Sequence, residues 1–232
     1  MNRNQSGFTL IEIAIVLVII GLLLGGVLKG QELINSAKVK NLANDFRNIP
    51  VFIYGYQDKF KSLPGDDKDP VTHLGSPVTL VTPTTPQVLG NGLIEGIWYP
   101  AVLTDETLLF WQHIRVAGLA SGPTALPGNT AAIGAFLPSN AAGGLIGVQS
   151  GTSSTTTTPI KDSSGNAIRG SYIICSDGIL GKFVTQLDIT MDDGKTDTGS
   201  MMAVKTGDAL DAGKPAEGTI DPAGSYTVCM GV

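Results

Sequence analysis

The stretch GFTLIEIAIVLVIIGLLLGGVL, Gly7 to Leu28, organises the rest of the chain. Glu12 is the only ionisable side chain in it, and the polar leader MNRNQS before it carries one positive charge, Arg3. As a helix, residues 8–28 span about 32 Å, the thickness of a bilayer core. A cleaved secretory signal ends its apolar run at a small-residue A-x-A site. Here the small residue, Gly7, precedes the run. A plain signal anchor has no use for Glu12, because a carboxylate in hydrocarbon is costly unless it has a partner.

Gly7-Phe8-Thr9-Leu10-Ile11-Glu12 and the apolar run after it resemble the N-terminal signature of type IV pilins and type II secretion pseudopilins. The resemblance implies cleavage after Gly7 by a prepilin peptidase and N-methylation of the new amino group on Phe8. It also implies that Glu12 pairs with the Phe8 ammonium of a neighbouring subunit in a filament. Each charge would then offset the burial cost of the other in an apolar bundle. The signature covers the N-terminal helix alone, and the remainder is read from its own residues.

The chain of 232 residues holds one good-sized domain, or one domain plus an extension. Charged residues are 15%, with 30 Gly and 13 Pro, which suits a secreted, loop-rich β domain better than a helical cytosolic enzyme. The net charge is −5, and loss of Arg3 with the leader lowers it by one further unit. An acidic balance gives no overall attraction for nucleic acid, and none is expected as a partner. Cys175 and Cys229 fit one disulfide in an oxidising compartment, with two unpaired buried thiols as the alternative. The resemblance favours the bridge, because many pilins clamp the C-terminal part of the head this way.

Beyond the apolar run, Leu42, Phe46, Ile49, Ile53, Tyr56 and Phe60 recur in alternating steps of four and three, one face of an amphipathic helix. Lys38, Lys40, Asn44, Arg47, Gln57 and Lys61 fall largely on the other face. Pro50 predicts a kink, and Pro64-Gly65 predicts the end of the helix. Gly21, Gly25, Gly26 and Gly30 weaken the first half. They allow either close helix packing or, as the resemblance suggests, a segment that stretches during assembly.

In the head, residues 104–120 read as a second helix capped by Thr104 or Asp105. Leu63-Pro64-Gly65-Asp66, Gly90-Asn91-Gly92, and Trp111-Gln112-His113 before Ala117-Gly118-Leu119 together resemble a subgroup of large pilin-like proteins. Residues 73–86 read as a loop, and 122–142 as a loose wrap around the core. Residues 145–148, 167–175, 199–204 and 226–230 read as strands. Residues 183–191 alternate with period two and read as another strand, with Asp192-Asp193-Gly194 as the hairpin turn to 199–204. The run GTSSTTTTP, residues 151–159, reads as a surface loop, with O-glycosylation as its functional reading.

Catalysis has little support. His73 and His113 are the only histidines, and both read as packed or surface residues. Gly194-Lys195-Thr196 imitates the end of a P-loop, but Ile189 stands where the first Gly is required. Gly90-x-Gly92 lacks the third Gly of a dinucleotide fingerprint, since Glu95 occupies that place. Two acidic clusters suggest calcium: Asp66, Asp67 and Asp69, and Asp188, Asp192, Asp193 and Asp197. Neither matches an EF-hand loop, and solvated turn carboxylates are the plainer reading. Asp192, Asp193 and Asp197 are the calcium candidates; otherwise no cofactor is expected.

The expected fold is α+β: a long N-terminal helix, its first half membrane-embedded, packed on a mainly antiparallel β-sheet head, pilin-like. The expected segments are a cleaved leader at 1–7, a membrane and filament-core half at 8–28, an amphipathic half at 29–62, and a head at 63–232. The expected function is a structural subunit of a type IV pilus or pilus-like filament, with a minor pseudopilin of a type II secretion pseudopilus as the alternative. A membrane-anchored periplasmic enzyme is the remote third reading. Expected partners are copies of itself or other pilins, the prepilin peptidase, the inner-membrane assembly platform and the membrane. The expected location is the inner membrane, single-pass with a periplasmic head, and then a periplasmic or surface filament.

Overall fold

The computed structural model describes residues 9–76, 78, 87–154, 157–207 and 213–232. Helix α1 runs from Leu10 to Phe60 and continues through Pro50 without a break. The chain divides into two compact units, 1–38 and 39–232, and α1 crosses the boundary. In the first unit every described residue up to Lys29 is exposed. In the second, α1 buries Val39, Leu42, Ala43, Phe46, Ile49, Ile53 and Tyr56, the face that the four-and-three spacing predicts. Lys61, at φ 56°, takes the left-handed position just past the helix, and its amide bonds to the Gln57 carbonyl at 2.9 Å. The helix therefore ends at Phe60, four residues before Pro64.

The head is built on a four-stranded antiparallel sheet. Its strands are β1 (Ile146–Ser150), β3 (Tyr172–Leu180), β4 (Met201–Lys205) and β6 (Ser225–Gly231), in the order β1-β3-β6-β4. Both faces of the sheet are buried. Ile146, Val148, Ile174, Met201, Ala203 and Val228 join the α1 residues in the main core. Ile173, Cys175, Met202, Val204 and Cys229 pack with Trp98, Ile160 and Ile168 in a second cluster. The buried run of β4 follows from this two-sided cover. A small parallel pair, β2 (Ile160–Lys161) and β5 (Lys214–Pro215), forms a separate two-stranded sheet.

The second helix of the head, α3, spans Glu106–Val116, within the expected 104–120. Asp105 holds its N-cap position but makes no capping bond to the helix. Its Oδ2 instead accepts the amides of Ala101 and Val102 at 2.9 and 3.1 Å. Short helix α4 (Ile133–Phe136) stands where a loose wrap is expected, and α2 (Pro70–Leu74) overlaps the expected loop only at His73 and Leu74. Ile133 and Phe136 are buried in the core, so this part of 122–142 is not a loose wrap. Much of the expected loop at 73–86 lies outside the described residues.

One expected strand is a helix. Residues Gly181–Met191 form α5, which buries Phe183, Val184, Leu187 and Asp188. That set has helical spacing, whereas Ile189, which a strand would bury with Phe183 and Leu187, is 66% exposed. Asp192-Asp193-Gly194 accordingly follows a helix instead of joining a hairpin. Strand β4 pairs with β6, not with residues 183–191. Strand β3 starts later than expected and runs on to Leu180, through a register shift between Ser176 and Ile179.

Candidate functional site

The first candidate is the start of α1. Thr9 precedes the first helical residue, and Glu12 stands three residues on. Glu12 Oε2 accepts the Thr9 amide and the Thr9 hydroxyl, both at 2.7 Å. The Glu12 amide in turn donates to Thr9 Oγ1 at 3.3 Å. This reciprocal capping box satisfies two of the donors that a helix start leaves unpaired. On the same helix, Leu10, Ile11, Leu17, Leu22 and Leu28 are all more than 60% exposed. The helix is long and apolar enough to cross a membrane. An exposed apolar surface of this size needs lipid or protein around it. Gly7 and Phe8, the expected processing residues, lie outside the described residues.

The second candidate is the acidic cluster after α1, whose carboxylates hold backbone and side chains together. Asp66 accepts the amides of Gly90 and Asn91 on Oδ1 and that of Gly92 on Oδ2 at 2.7 Å. Asp67 Oδ2 accepts Tyr56 Oη and His73 Nδ1, each at 2.7 Å, and its Oδ1 accepts the Asp69 amide at 3.0 Å. Burial alone would raise Asp67, but these bonds and the His73 charge hold its carboxyl below the usual range. Burial pushes Asp66 up despite its three amides. The same burial, with the bond to Asp67, raises the Tyr56 phenol.

Gly65, at φ +92°, sits against α3, where an added Cβ would lie 2.5 Å from the Glu106 carbonyl oxygen. Its amide donates to His113 Nδ1 at 3.0 Å, so the ring carries its proton on Nε2. Burial lowers His113 to about 4 and keeps it neutral. Glu106, fully buried on the same helix, is pushed up to about 8, by burial first and then by the charges of Asp66, Glu95 and Asp105. Its Oε2 accepts the Glu95 amide at 2.8 Å. From sequence Glu106 reads only as a first-turn dipole partner, and its burial comes from the fold.

Cys175 and Cys229 form a disulfide between directly opposed positions of β3 and β6. It lies on the sheet face packed by Trp98, Ile160 and Ile168.

The last candidate is the turn after α5. One carboxylate oxygen from each of Asp188, Asp192 and Asp193 lies within 4.8 Å of the others. Asp197 points elsewhere, with Oδ2 2.8 Å from where a Cβ on Gly218 would stand. Burial, with the charges of Asp192 and Asp193, pushes Asp188 up to about 6.

Residues 2–28 match the model of the prokaryotic N-terminal methylation motif, the prepilin-type signature of type IV pilins and pseudopilins. The signature marks a substrate of the prepilin peptidase and points to a structural, pilin-like protein that assembles with other pilins. With the exposed apolar helix it is compatible with a single-pass inner-membrane anchor. No curated protein and no solved structure matches the chain.

Proposed function

We propose that the protein is a structural subunit of a type IV pilus or pilus-like filament, held in the inner membrane and then assembled through α1. The observation that carries this reading is the prepilin signature on an apolar helix whose described residues are all exposed as far as Lys29. Lipid tails are as apolar as leucine, so burial of apolar surface does not by itself draw the helix from bilayer to filament. Side-chain packing and the Glu12 carboxylate must supply the difference. In the bilayer, Glu12 at the helix start stays near the headgroups and bonds to Thr9. In the filament core, the Phe8 ammonium of a neighbour becomes its partner and fixes the axial register. After processing, the head faces the periplasm and then the periplasmic or cell-surface filament.

A minor subunit of a type II secretion pseudopilus rests on the same signature and is the second reading. Electron microscopy of filaments sheared from cells, with mass spectrometry of their subunits, separates the two. A surface filament built mainly of this chain supports the pilus. Short filaments that hold it only as a trace component support the pseudopilus. Its absence from every filament fraction contradicts both.

A further inference from the structure

We propose that Asn91 is a self-modification site: the Gly92 amide nitrogen attacks the Asn91 side-chain carbonyl, ammonia leaves, and the resulting succinimide opens to aspartate or isoaspartate. Such a ring closure asks its surroundings for a base on the attacking N–H, a donor to the developing oxyanion and a hold on the departing amine. The Gly90–Gly92 turn supplies all of them. Asp66 Oδ2 accepts the Gly92 amide at 2.7 Å. Leu93 N donates to Asn91 Oδ1 at 2.9 Å, and Asn91 Nδ2 donates to Glu95 Oε2 at 2.9 Å. A backbone N–H can only donate and a carboxylate can only accept, so these two partners fix which way the Asn91 amide faces.

Burial and openness fall on the right groups. Asp66 is 3% exposed, and burial raises its affinity for a proton. Asn91 and Gly92 are exposed, so water reaches the imide once it has formed. Nothing lies within 4 Å of where a Cβ on Gly92 would stand. A side chain there would shield the Asn91 carbonyl carbon, and glycine leaves it open. Asn91-Gly92 is also the only Asn-Gly pair in the chain.

The chemistry balances without a further reagent. The bond from Gly92 N to Asn91 Cγ forms, and the Gly92 amide proton passes to Asp66. The negative charge on Oδ1 is met by the Leu93 N–H. The Cγ–Nδ2 bond then breaks, and the proton returns through solvent to the departing nitrogen, which leaves as ammonia. Water adds to either carbonyl of the ring and cleaves one C–N bond, giving aspartate or isoaspartate.

The product loosens the turn that made it. A succinimide has no Gly92 N–H, so Asp66 loses one of its amide partners. Hydrolysis then sets a carboxylate beside Glu95, where the Asn91 amide had donated, and the like charges repel. Isoaspartate also lengthens the backbone through the turn. The head thereby carries a chemical mark of its age.

The test uses the full-length chain in detergent micelles and needs no filament, so its outcome is independent of the assembly reading. Peptide mass spectrometry across Asn91, with isoaspartyl methyltransferase labelling, follows the conversion. An Asn-Gly pair also deamidates in an unfolded chain, so native protein is compared with the same protein in urea. The native rate should be higher by about tenfold, the work of positioning and of the Asp66 base. In urea, hydroxide removes the proton and the rate rises about tenfold per pH unit, whereas in native protein the rate should level off once Asp66 is ionised. Asp66→Asn should lose the native advantage and regain the hydroxide dependence. A native rate below that in urea gives the turn a protective role and overturns the proposal. An unchanged rate in Asp66→Asn overturns it too, and so, with no variant needed, does a full hydroxide dependence in native wild type.

Discussion

Glu12 closes back on Thr9, with one carboxylate oxygen accepting both the amide and the hydroxyl of Thr9 at 2.7 Å. In a lone chain, this carboxylate is therefore already engaged by its own helix start. Assembly exchanges or extends that bond with a neighbour's Phe8 ammonium. Glu12→Gln keeps the shape and part of the hydrogen bonding, whereas Glu12→Val removes charge and cap together. Loss of the cap costs about 0.5–2 kcal/mol of local helix stability. Membrane insertion follows the apolar run and should survive both changes. Co-expressed with wild type, each variant should reach normal membrane levels yet be under-represented in filaments, Glu12→Val more so than Glu12→Gln. Incorporation of Glu12→Val at the wild-type ratio would remove the pairing role.

The bridge joins Cys175 and Cys229 across β3 and β6, 54 positions apart in the chain. Chain-entropy reasoning assigns such a loop about 4 kcal/mol. Alkylation of native material without reductant should label neither cysteine. Cys175→Ala/Cys229→Ala should unfold at a temperature several degrees lower. Full labelling of both thiols in native protein would show that the clamp does not form.

Glu106 gives the head a defined response to pH. Its folded pKa, about 8, lies above the ordinary glutamate value of 4.5. The folded state holds this proton more tightly, so the stabilisation is complete below about pH 4.5 and is lost as pH rises through 8. His113 acts in the opposite sense: lowered from 6.5 to about 4, it removes stability as pH falls through that interval. Between pH 6.5 and 8 the Glu106 effect stands clear of His113. Thermal melts over this interval should show Tm falling with pH in wild type and falling less in Glu106→Gln. An identical slope in the variant would assign the pH dependence elsewhere.

Asp66 pins the Gly90–Gly92 turn through three backbone amides. Asp66→Ala leaves those amides without their acceptor and should destabilise the head by about 2–4 kcal/mol. Asp66→Asn, which keeps an acceptor oxygen, should cost less. Urea unfolding of both variants checks the order, and equal losses would mean that the charge, not the accepting geometry, holds the turn.

The α1 face was legible because Leu42, Phe46, Ile49, Ile53 and Tyr56 repeat at helical spacing and all are buried. Helix α5 was not, because Phe183 and Leu187 stand four apart, a step that a helix and a strand share. Burial of Val184 and exposure of Ile189 decide it, and neither is visible before the sheet forms. Asp192-Asp193-Gly194 does mark a chain reversal, but the helix before it makes that reversal a helix end. Strand β3 continues past Cys175 through Ser176-Asp177-Gly178, an irregular stretch inside a longer strand that shows only in its pairing with β6. The roles of Asp66 and Asp67 depend on Gly90, Gly92, Tyr56 and His73, partners that only the tertiary fold brings together. The two cysteines show both sides. Their number suggested a bridge, and the register of β3 against β6 places them opposite one another.

The central claim is that this chain is processed after Gly7 and assembled through the helix that then begins at Phe8. N-terminal mass spectrometry of protein recovered from sheared filaments tests it most directly. The account predicts a mature chain starting at N-methylated Phe8, and a Gly7 variant with a bulky side chain that keeps its leader and stays out of filaments. Assembled protein that still begins at Met1 or Asn2 would contradict it.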